Sequence, residues 1–125
     1  DVSEPPAVKR VLLCSGRLTW DLLAERQRRE PDSTQTAILR LEQLYPRPAD
    51  ELKAELAKYP NAEKVRWVQD EPANMGPWPH MKLNLEPEIG VVLERVSRAE
   101  SAAPSVGQVA VHRDELAALL DAAFA

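Results

Sequence analysis

Apolar and polar residues follow two alternating patterns along the chain. Short continuous apolar runs, typical of strands buried in a parallel sheet, alternate with stretches in which apolar residues recur at helical spacing. The runs predict strands at 8–14, 37–41, 64–68 and 91–96. The helical spacing predicts helices at 17–29, 49–59 and 116–124, with a short helix within 81–88. This alternation predicts an α/β fold, with a mainly parallel sheet and helices on both of its faces.

Two connections stand out in this pattern. Ser15-Gly16-Arg17 lies between the first strand and the first helix, with Ser15 as the expected N-cap. In the segment 67–78, the apolar run of the third strand ends in Gln-Asp-Glu-Pro and continues into a Gly-Pro-Trp turn, which predicts a surface loop. Ligands and partners of open α/β sheets meet the protein at the carboxyl ends of the strands, so function is expected there. The segment 97–107, rich in Ser, Ala and Pro, is expected to be a loop.

Composition narrows the class of protein. The chain of 125 residues is expected to form one domain at 8–125, preceded by a linker from an earlier domain at 1–7. Sixteen basic against twenty acidic residues give a net charge of −4, which supplies no basic footprint for nucleic acid. Cys14 is the only cysteine, so the chain cannot form an internal disulfide. No apolar run reaches the roughly 20 residues that span a bilayer.

A weak anion site is predicted at the turn after the first strand. Free N–H groups at a helix N-terminus favour an anion, and Arg17 beside Ser15 and Gly16 would add a charged contact. Arg95 and Arg98, near the end of the fourth strand, could bind the same phosphate-bearing ligand, pair with Glu71, or be solvated. A simple strand-to-helix turn is the alternative reading of the same residues, because no Gly-rich fingerprint is present.

The loop in 67–78 suggests an interface more than a catalytic site. Asp70 and Glu71 could form an acid/base pair, but adjacent residues on an extended segment point to opposite sides. Glu71 is therefore expected to bind backbone groups or a cation across an interface, together with Asn74 and Trp78. The two histidines, His80 and His112, have no neighbouring nucleophile or metal-ligand spacing in the sequence. The residues alone predict a non-catalytic α/β module without a metal site.

The chain resembles one enzyme family over nearly its whole length. The resemblance rests on four ordered runs: KRVLLCSGRLTWDLL at 9–23, ILRLEQLYPRP at 38–48, WVQDEPANMGPW at 67–78 and SRAESAAPSVGQVAVH at 97–112. They are similar to the C-terminal domain of the thiamine-diphosphate-dependent decarboxylating component of 2-oxoglutarate dehydrogenase and of related 2-oxoglutarate decarboxylases. Asp70, Met75 and Pro77 depart from that pattern, where Glu, Gln and Ala are usual.

The resemblance implies a transketolase-like C-terminal domain that completes the subunit and the interface of a homodimer. It implies that the full-length enzyme is a cytoplasmic bacterial oxidoreductase of the tricarboxylic acid cycle, acting on 2-oxoglutarate and passing succinyl to lipoamide on a dihydrolipoyl succinyltransferase. Thiamine diphosphate and magnesium would bind in the preceding domains, outside this segment. Some bacterial members are activated by acetyl-CoA at or near this domain, which makes a regulatory acyl-CoA-binding module the alternative function.

Overall fold

The structure is a computed structural model that describes residues 7–31, 35–41, 49–72, 74–98 and 109–125, with side chains from 114 onward in the last stretch. The expected linker at 1–7 therefore lies outside the described residues except for Ala7, and so does most of the expected loop at 97–107. His112 belongs to the helical backbone, but its side chain is outside the description.

The described strands form one sheet in which every pairing is parallel. The strands are β1 (Arg10–Cys14), β2 (Thr36–Arg40), β3 (Lys64–Pro72) and β4 (Glu94–Arg98), arranged in the order β2-β1-β3-β4. Leu13 is paired with Leu39 on one side and with Trp67 on the other, and Val68 is paired with Val96. The four strands predicted from the apolar runs are confirmed, with shifts of up to four residues at their ends.

Helices connect the strands and cover both faces of the sheet. They are α1 (Leu18–Arg29), α2 (Ala49–Leu56), α3 (Trp78–His80), a π-helical turn (Met81–Leu85), α4 (Glu86–Ile89) and α5 (Val109–Phe124). α3, the π-helical turn and α4 follow one another without a break and together form the 78–89 stretch. The helix predicted within 81–88 is therefore longer than expected. Gly90, with φ +71°, ends it in the left-handed conformation.

Two separate cores follow from the alternation of side chains along the strands. Val11, Leu13 and Trp67 point to the face covered by α2 and the 78–89 stretch, where they pack with Leu52, Tyr59, Met81, Leu85 and Ile89. Leu12, Cys14 and Val68 point to the opposite face, where they pack with α1 and α5 through Leu18, Leu22, Leu119, Ala123 and Phe124. The predicted fold class, with helices on both faces, is confirmed.

Three local predictions were wrong. Ser15 does not cap α1: Gly16 (φ +65°) turns the chain, Arg17 takes the N-cap position, and no side chain caps it. The expected loop residues 69–72 continue β3, because β4 extends alongside as far as the pairing of Pro72 with Arg98. For the same reason Ser97 and Arg98 belong to β4 instead of the following loop. The register of this pairing shifts between Val68 and Pro72.

Cys14 provides a test of this packing. It is fully buried at the end of β1, its Sγ lies 3.3 Å from Thr19 Oγ1, and burial raises the pKa of its thiol. Since only the thiolate reacts, labelling by a disulfide reagent at about pH 8 should be limited by unfolding. The raised pKa favours the folded state below the ordinary thiol value of about 8.5, and this contribution is lost as pH rises through the folded value. Labelling in buffer as fast as in urea would contradict the burial.

Candidate functional site

The turns that follow β1 and β3 meet at the carboxyl edge of the sheet and enclose a cleft of about 310 Å³. This β1–β3 cleft is lined by Ser15, Gly16, Arg17, Leu18, Trp67, Val68, Gln69, Asp70, Glu71 and Pro77. A neighbouring cleft of about 250 Å³, the Arg98 cleft, is lined by Arg17, Leu18, Asp21, Asp70, Arg98 and Leu116. The structure thus brings together most of the residues that the sequence singled out, at the edge where they were expected.

Arg98 is the charged centre of this edge. Its side chain is only 10% exposed, and its Nε and Nη2 lie 2.8 and 2.7 Å from Asp70 Oδ1. Its Nη1 lies 3.1 Å from Glu115 Oε2 on α5. Arg98 therefore joins β4 to β3 and to α5, and its charge is already matched by two carboxylates. The sequence alternatives for Arg98 included pairing with Glu71; the observed partners are Asp70 and Glu115.

Arg95 lies apart from this group. It is exposed, and it is three residues from Arg98 on the same strand, so the two side chains point to opposite faces of the sheet. It lines neither cleft. Arg17 is exposed and lines both. Among the described residues, the predicted anion site is thus reduced to Arg17, for which this part of the chain shows no ion pair, in surroundings that include Asp21, Asp70 and Glu71.

A buried amide organises the end of β3. Gln69 is 2% exposed, and five polar atoms of the described residues lie within hydrogen-bond distance of its side-chain amide. Its Oε1 accepts from Trp67 Nε1 (2.9 Å) and Trp78 N (2.8 Å), and the two N–H groups of its Nε2 are shared among the carbonyl oxygens of Glu71 (3.2 Å), Pro72 (2.8 Å) and Met75 (2.8 Å). These bonds join β3 to the residues that follow Gln69. We call these residues the 71–78 segment, which consists of the last two residues of β3, the turn after them and the first residue of α3. Ala73 within it lies outside the described residues.

The 71–78 segment presents a mixed surface. Glu71 and Asn74 are exposed, and the large apolar side chain of Met75 is 58% exposed. Trp78 is half-buried: it packs against the core, and Lys82 Nζ lies 5.9 Å from the centre of its ring. Trp67 is fully packed in the sheet. Trp78, which the sequence suggested for an interface, is thus partly covered by the core of its own chain.

The Glu71 carboxylate is placed against a glycine. A Cβ added to Gly76 would lie 2.5 Å from Glu71 Oε2, and Gly76 itself has φ +67°. Asp70 and Glu71 therefore face different partners, Arg98 and the Gly76 turn, as alternation along a strand predicts.

Among the described residues, no group of three or more His, Cys, Asp or Glu side chains could hold a metal ion. In the same part of the chain, no helix is long and apolar enough to cross a bilayer.

Comparison with known proteins decides the family. The model of the family described as 2-oxoglutarate dehydrogenase C-terminal matches residues 1–124. This chain belongs to that family. The 2-oxoglutarate dehydrogenase E1 component of Cupriavidus necator is 46% identical over 120 residues, which cover 94% of this chain and 12% of that protein. The E1 component of Coxiella burnetii is 45% identical over 112 residues, which cover 87% of this chain and 12% of that protein.

More distant similarities agree on the fold. The 2-oxoadipate dehydrogenase complex component E1 of Danio rerio is 38% identical over 120 residues, covering 96% of this chain and 13% of that protein. A solved structure described as a split gene transketolase, inactive beta4 tetramer, superposes with a TM-score of 0.62 at 17% identity, covering 93% of this chain and 39% of that one. The predicted transketolase-like architecture is confirmed. The chain spans about 12% of the length of the E1 components of Cupriavidus necator and Coxiella burnetii.

Sequence reasoning missed two residues that contribute to this site, Gln69 and Glu115. Gln69 reads simply as the polar end of an apolar strand, and its one available signal was its place between Trp67 and a loop that contains Pro72 and Gly76-Pro77. Glu115 lies 17 residues beyond Arg98, on the far side of a segment with no periodic pattern, so no spacing rule could pair them. Both act through tertiary contacts.

The Arg98 ion pairs can be tested by unfolding in urea. Arg98→Ala should lower the free energy of unfolding by about 1–2 kcal/mol, because it removes contacts to two carboxylates at a largely buried position. Arg98→Lys should recover only part of this loss, since an ammonium cannot reproduce the bonds of the guanidinium fork. Arg28, 69% exposed and paired with Glu25 within α1, is the matched control, and its replacement by Ala should cost about 0–0.5 kcal/mol. Equal losses for Arg98→Ala and Arg28→Ala would show that the pairs contribute nothing.

Proposed function

We propose that this chain is the C-terminal domain of a 2-oxoglutarate dehydrogenase E1 component, and that it acts in assembling the enzyme instead of in the chemical step. The observation that carries the proposal is the family match over residues 1–124 in a chain that spans about 12% of its relatives. Residues 8–125 would form this domain and the residues before them a linker from the preceding domain. The parent enzyme would decarboxylate 2-oxoglutarate and transfer succinyl to lipoamide.

The chemistry of the clefts supports a non-catalytic role. Thiamine diphosphate and magnesium, which the family resemblance implies, would be held by other domains, because the residues here do not fit a diphosphate. The acidic residues Asp21, Asp70 and Glu71 line the β1–β3 and Arg98 clefts, and Arg98 is already bound by two carboxylates. A diphosphate placed there would meet more negative than positive charge.

The 71–78 segment is the surface that we assign to assembly. Glu71, Asn74 and Met75 are exposed and Trp78 is half-buried, which gives a charged group, an amide and apolar area side by side. We propose that this surface contacts the preceding domains of its own chain or the second subunit of a homodimer. The dihydrolipoyl succinyltransferase component is the expected acceptor partner, and the bacterial relatives support a cytoplasmic enzyme of the tricarboxylic acid cycle.

A regulatory acyl-CoA site is the second candidate function. It rests on the β1–β3 cleft of about 310 Å³, where Ser15, Gly16 and the exposed Arg17 could meet a phosphate at the start of α1. A phosphate bound there would meet the same obstacle as a diphosphate, because the acidic residues Asp70 and Glu71 also line that cleft. Acetyl-CoA is the ligand that the family resemblance suggests for it.

The first test is removal of the domain. Thiamine-diphosphate-dependent decarboxylation of 2-oxoglutarate should be lost when the 125 residues are deleted from the parent protein, together with its dimeric state in sedimentation, because the domain completes the subunit. The isolated chain should be inactive. If activity and assembly persist without the domain, its role is not in assembly, and a titration of the parent protein with acetyl-CoA would then decide for the regulatory site.

A glycine pair tests the role of Glu71. Gly76→Ala and Gly90→Ala should each cost about 1–2 kcal/mol of stability, since both residues are in the left-handed conformation. Only Gly76→Ala also displaces the Glu71 carboxylate, because an added Cβ at Gly90 meets nothing within 4 Å. Sedimentation of the parent enzyme should therefore show weaker assembly for Gly76→Ala and for Glu71→Gln than for Gly90→Ala. Similar assembly for all three would remove Glu71 from the interface.

A further inference from the structure

The side chain of Gln69 uses its full hydrogen-bonding capacity on the 71–78 segment and on Trp67. A carboxamide has two N–H donors and an oxygen that accepts two bonds. Here the oxygen accepts from an indole and from the Trp78 backbone amide, while the nitrogen faces three backbone carbonyl oxygens between 2.8 and 3.2 Å away. The group is 2% exposed, so water does not compete for these bonds.

The partners of Gln69 require a group that both donates and accepts. A carboxylate at this position could accept from Trp67 and Trp78 but would meet the three carbonyl oxygens with further negative charge. Lysine or arginine could donate to the carbonyls but would leave both N–H groups without an acceptor. Asparagine is shorter by one methylene group and could not span the same distances. The geometry therefore specifies glutamine at residue 69.

We propose that Gln69 is the positioning residue of the 71–78 segment, which it holds in one conformation so that the interface is formed before the partner arrives. The inference rests on the proposed assembly function and adds a mechanism to it. The bonds of Gln69 satisfy the inward-facing backbone groups of Glu71, Pro72, Met75 and Trp78 within the chain itself. A partner then binds an ordered surface and does not have to order it, which strengthens association without adding contacts.

The experiment uses Gln69→Glu and Gln69→Met in the full-length enzyme, with hydrogen exchange of the 71–78 segment as the readout. A protonated Glu has one O–H donor and a carbonyl acceptor, so it can replace part of the amide; a carboxylate has no donor. Burial and three facing carbonyl oxygens favour the protonated form. Protection in Gln69→Glu, corrected for intrinsic exchange, should fall about tenfold or more at about pH 8 and return as the pH is lowered to about 5.5. Gln69→Met, which cannot gain a donor, should stay unprotected at both values.

The location of the lost protection separates positioning from general loss of packing. A side chain that only fills space would, as a buried carboxylate at the higher pH, loosen the whole sheet, so equal losses of protection in β1 and in the 71–78 segment would overturn the inference. Should neither variant fold, the wild-type enzyme still decides the question. The Trp78 backbone amide donates to a buried oxygen, so it should exchange about a hundredfold or more slowly than an unstructured amide. Exchange of that amide at the unstructured rate would also overturn the inference.

Sedimentation of the same samples distinguishes this inference from the assembly proposal. Weaker assembly of Gln69→Glu at the higher pH, reversed at the lower pH in step with the protection, supports both. If the segment loses protection while assembly is unchanged, Gln69 still positions the segment, but the segment is not the interface. If assembly weakens while protection stays that of the wild type, the positioning role is wrong.

Discussion

Burial of the central strands on both faces is the constraint on which the rest of the structure depends. Val11, Leu12, Leu13 and Cys14, four successive residues of β1, are all 0% exposed. A strand in that position can carry only apolar or fully satisfied groups, and its parallel neighbours require long crossovers that bring helices over both faces. The polar side chain buried in the middle of the sheet, Arg66 on β3, is accordingly satisfied by carbonyl oxygens at the end of α5. Polar groups that could serve a site belong at the edges, and the carboxyl edge is where the turns after β1 and β3 come together.

At that edge the polar groups are mostly satisfied within the described part of the chain, and this supports the proposed interface over a small-molecule site. Arg98 is bound by Asp70 and Glu115, and Gln69 is bound by the segment that follows it. A site that acts on a small molecule needs groups directed into open space with their bonding capacity unused. In the β1–β3 cleft the exposed cation, Arg17, lies among acidic residues, whereas the 71–78 segment carries three exposed side chains, those of Glu71, Asn74 and Met75. An ordered loop with outward contacts suits an interface.

Sequence reasoning was sufficient wherever a single local pattern determined the outcome. The apolar runs located every described strand, and helical spacing located α1, α2 and α5, because burial of a strand or of one helix face imposes its own period. It failed where two distant segments determine the outcome together. The length of β3 depends on pairing with β4, and the partners of Arg98 depend on where α5 crosses the sheet. Ser15 failed as an N-cap for a local reason, since Gly16 adds a turn before α1 begins.

The balance of charge at the carboxyl edge also bears on the kind of partner that could bind there. For a phosphate to use both Arg17 and Arg98, it would have to take Arg98 from Asp70 and Glu115, leaving two carboxylates near an anion. A cationic or amide group from another domain meets no such obstacle, because Asp70 is 55% exposed beside Arg98 and Glu71 is exposed above Gly76. Electrostatic complementarity thus favours a protein partner of opposite charge over a small anionic ligand. The same carboxylates that argue against a cofactor site in this domain therefore indicate how the domain would contact the rest of the enzyme.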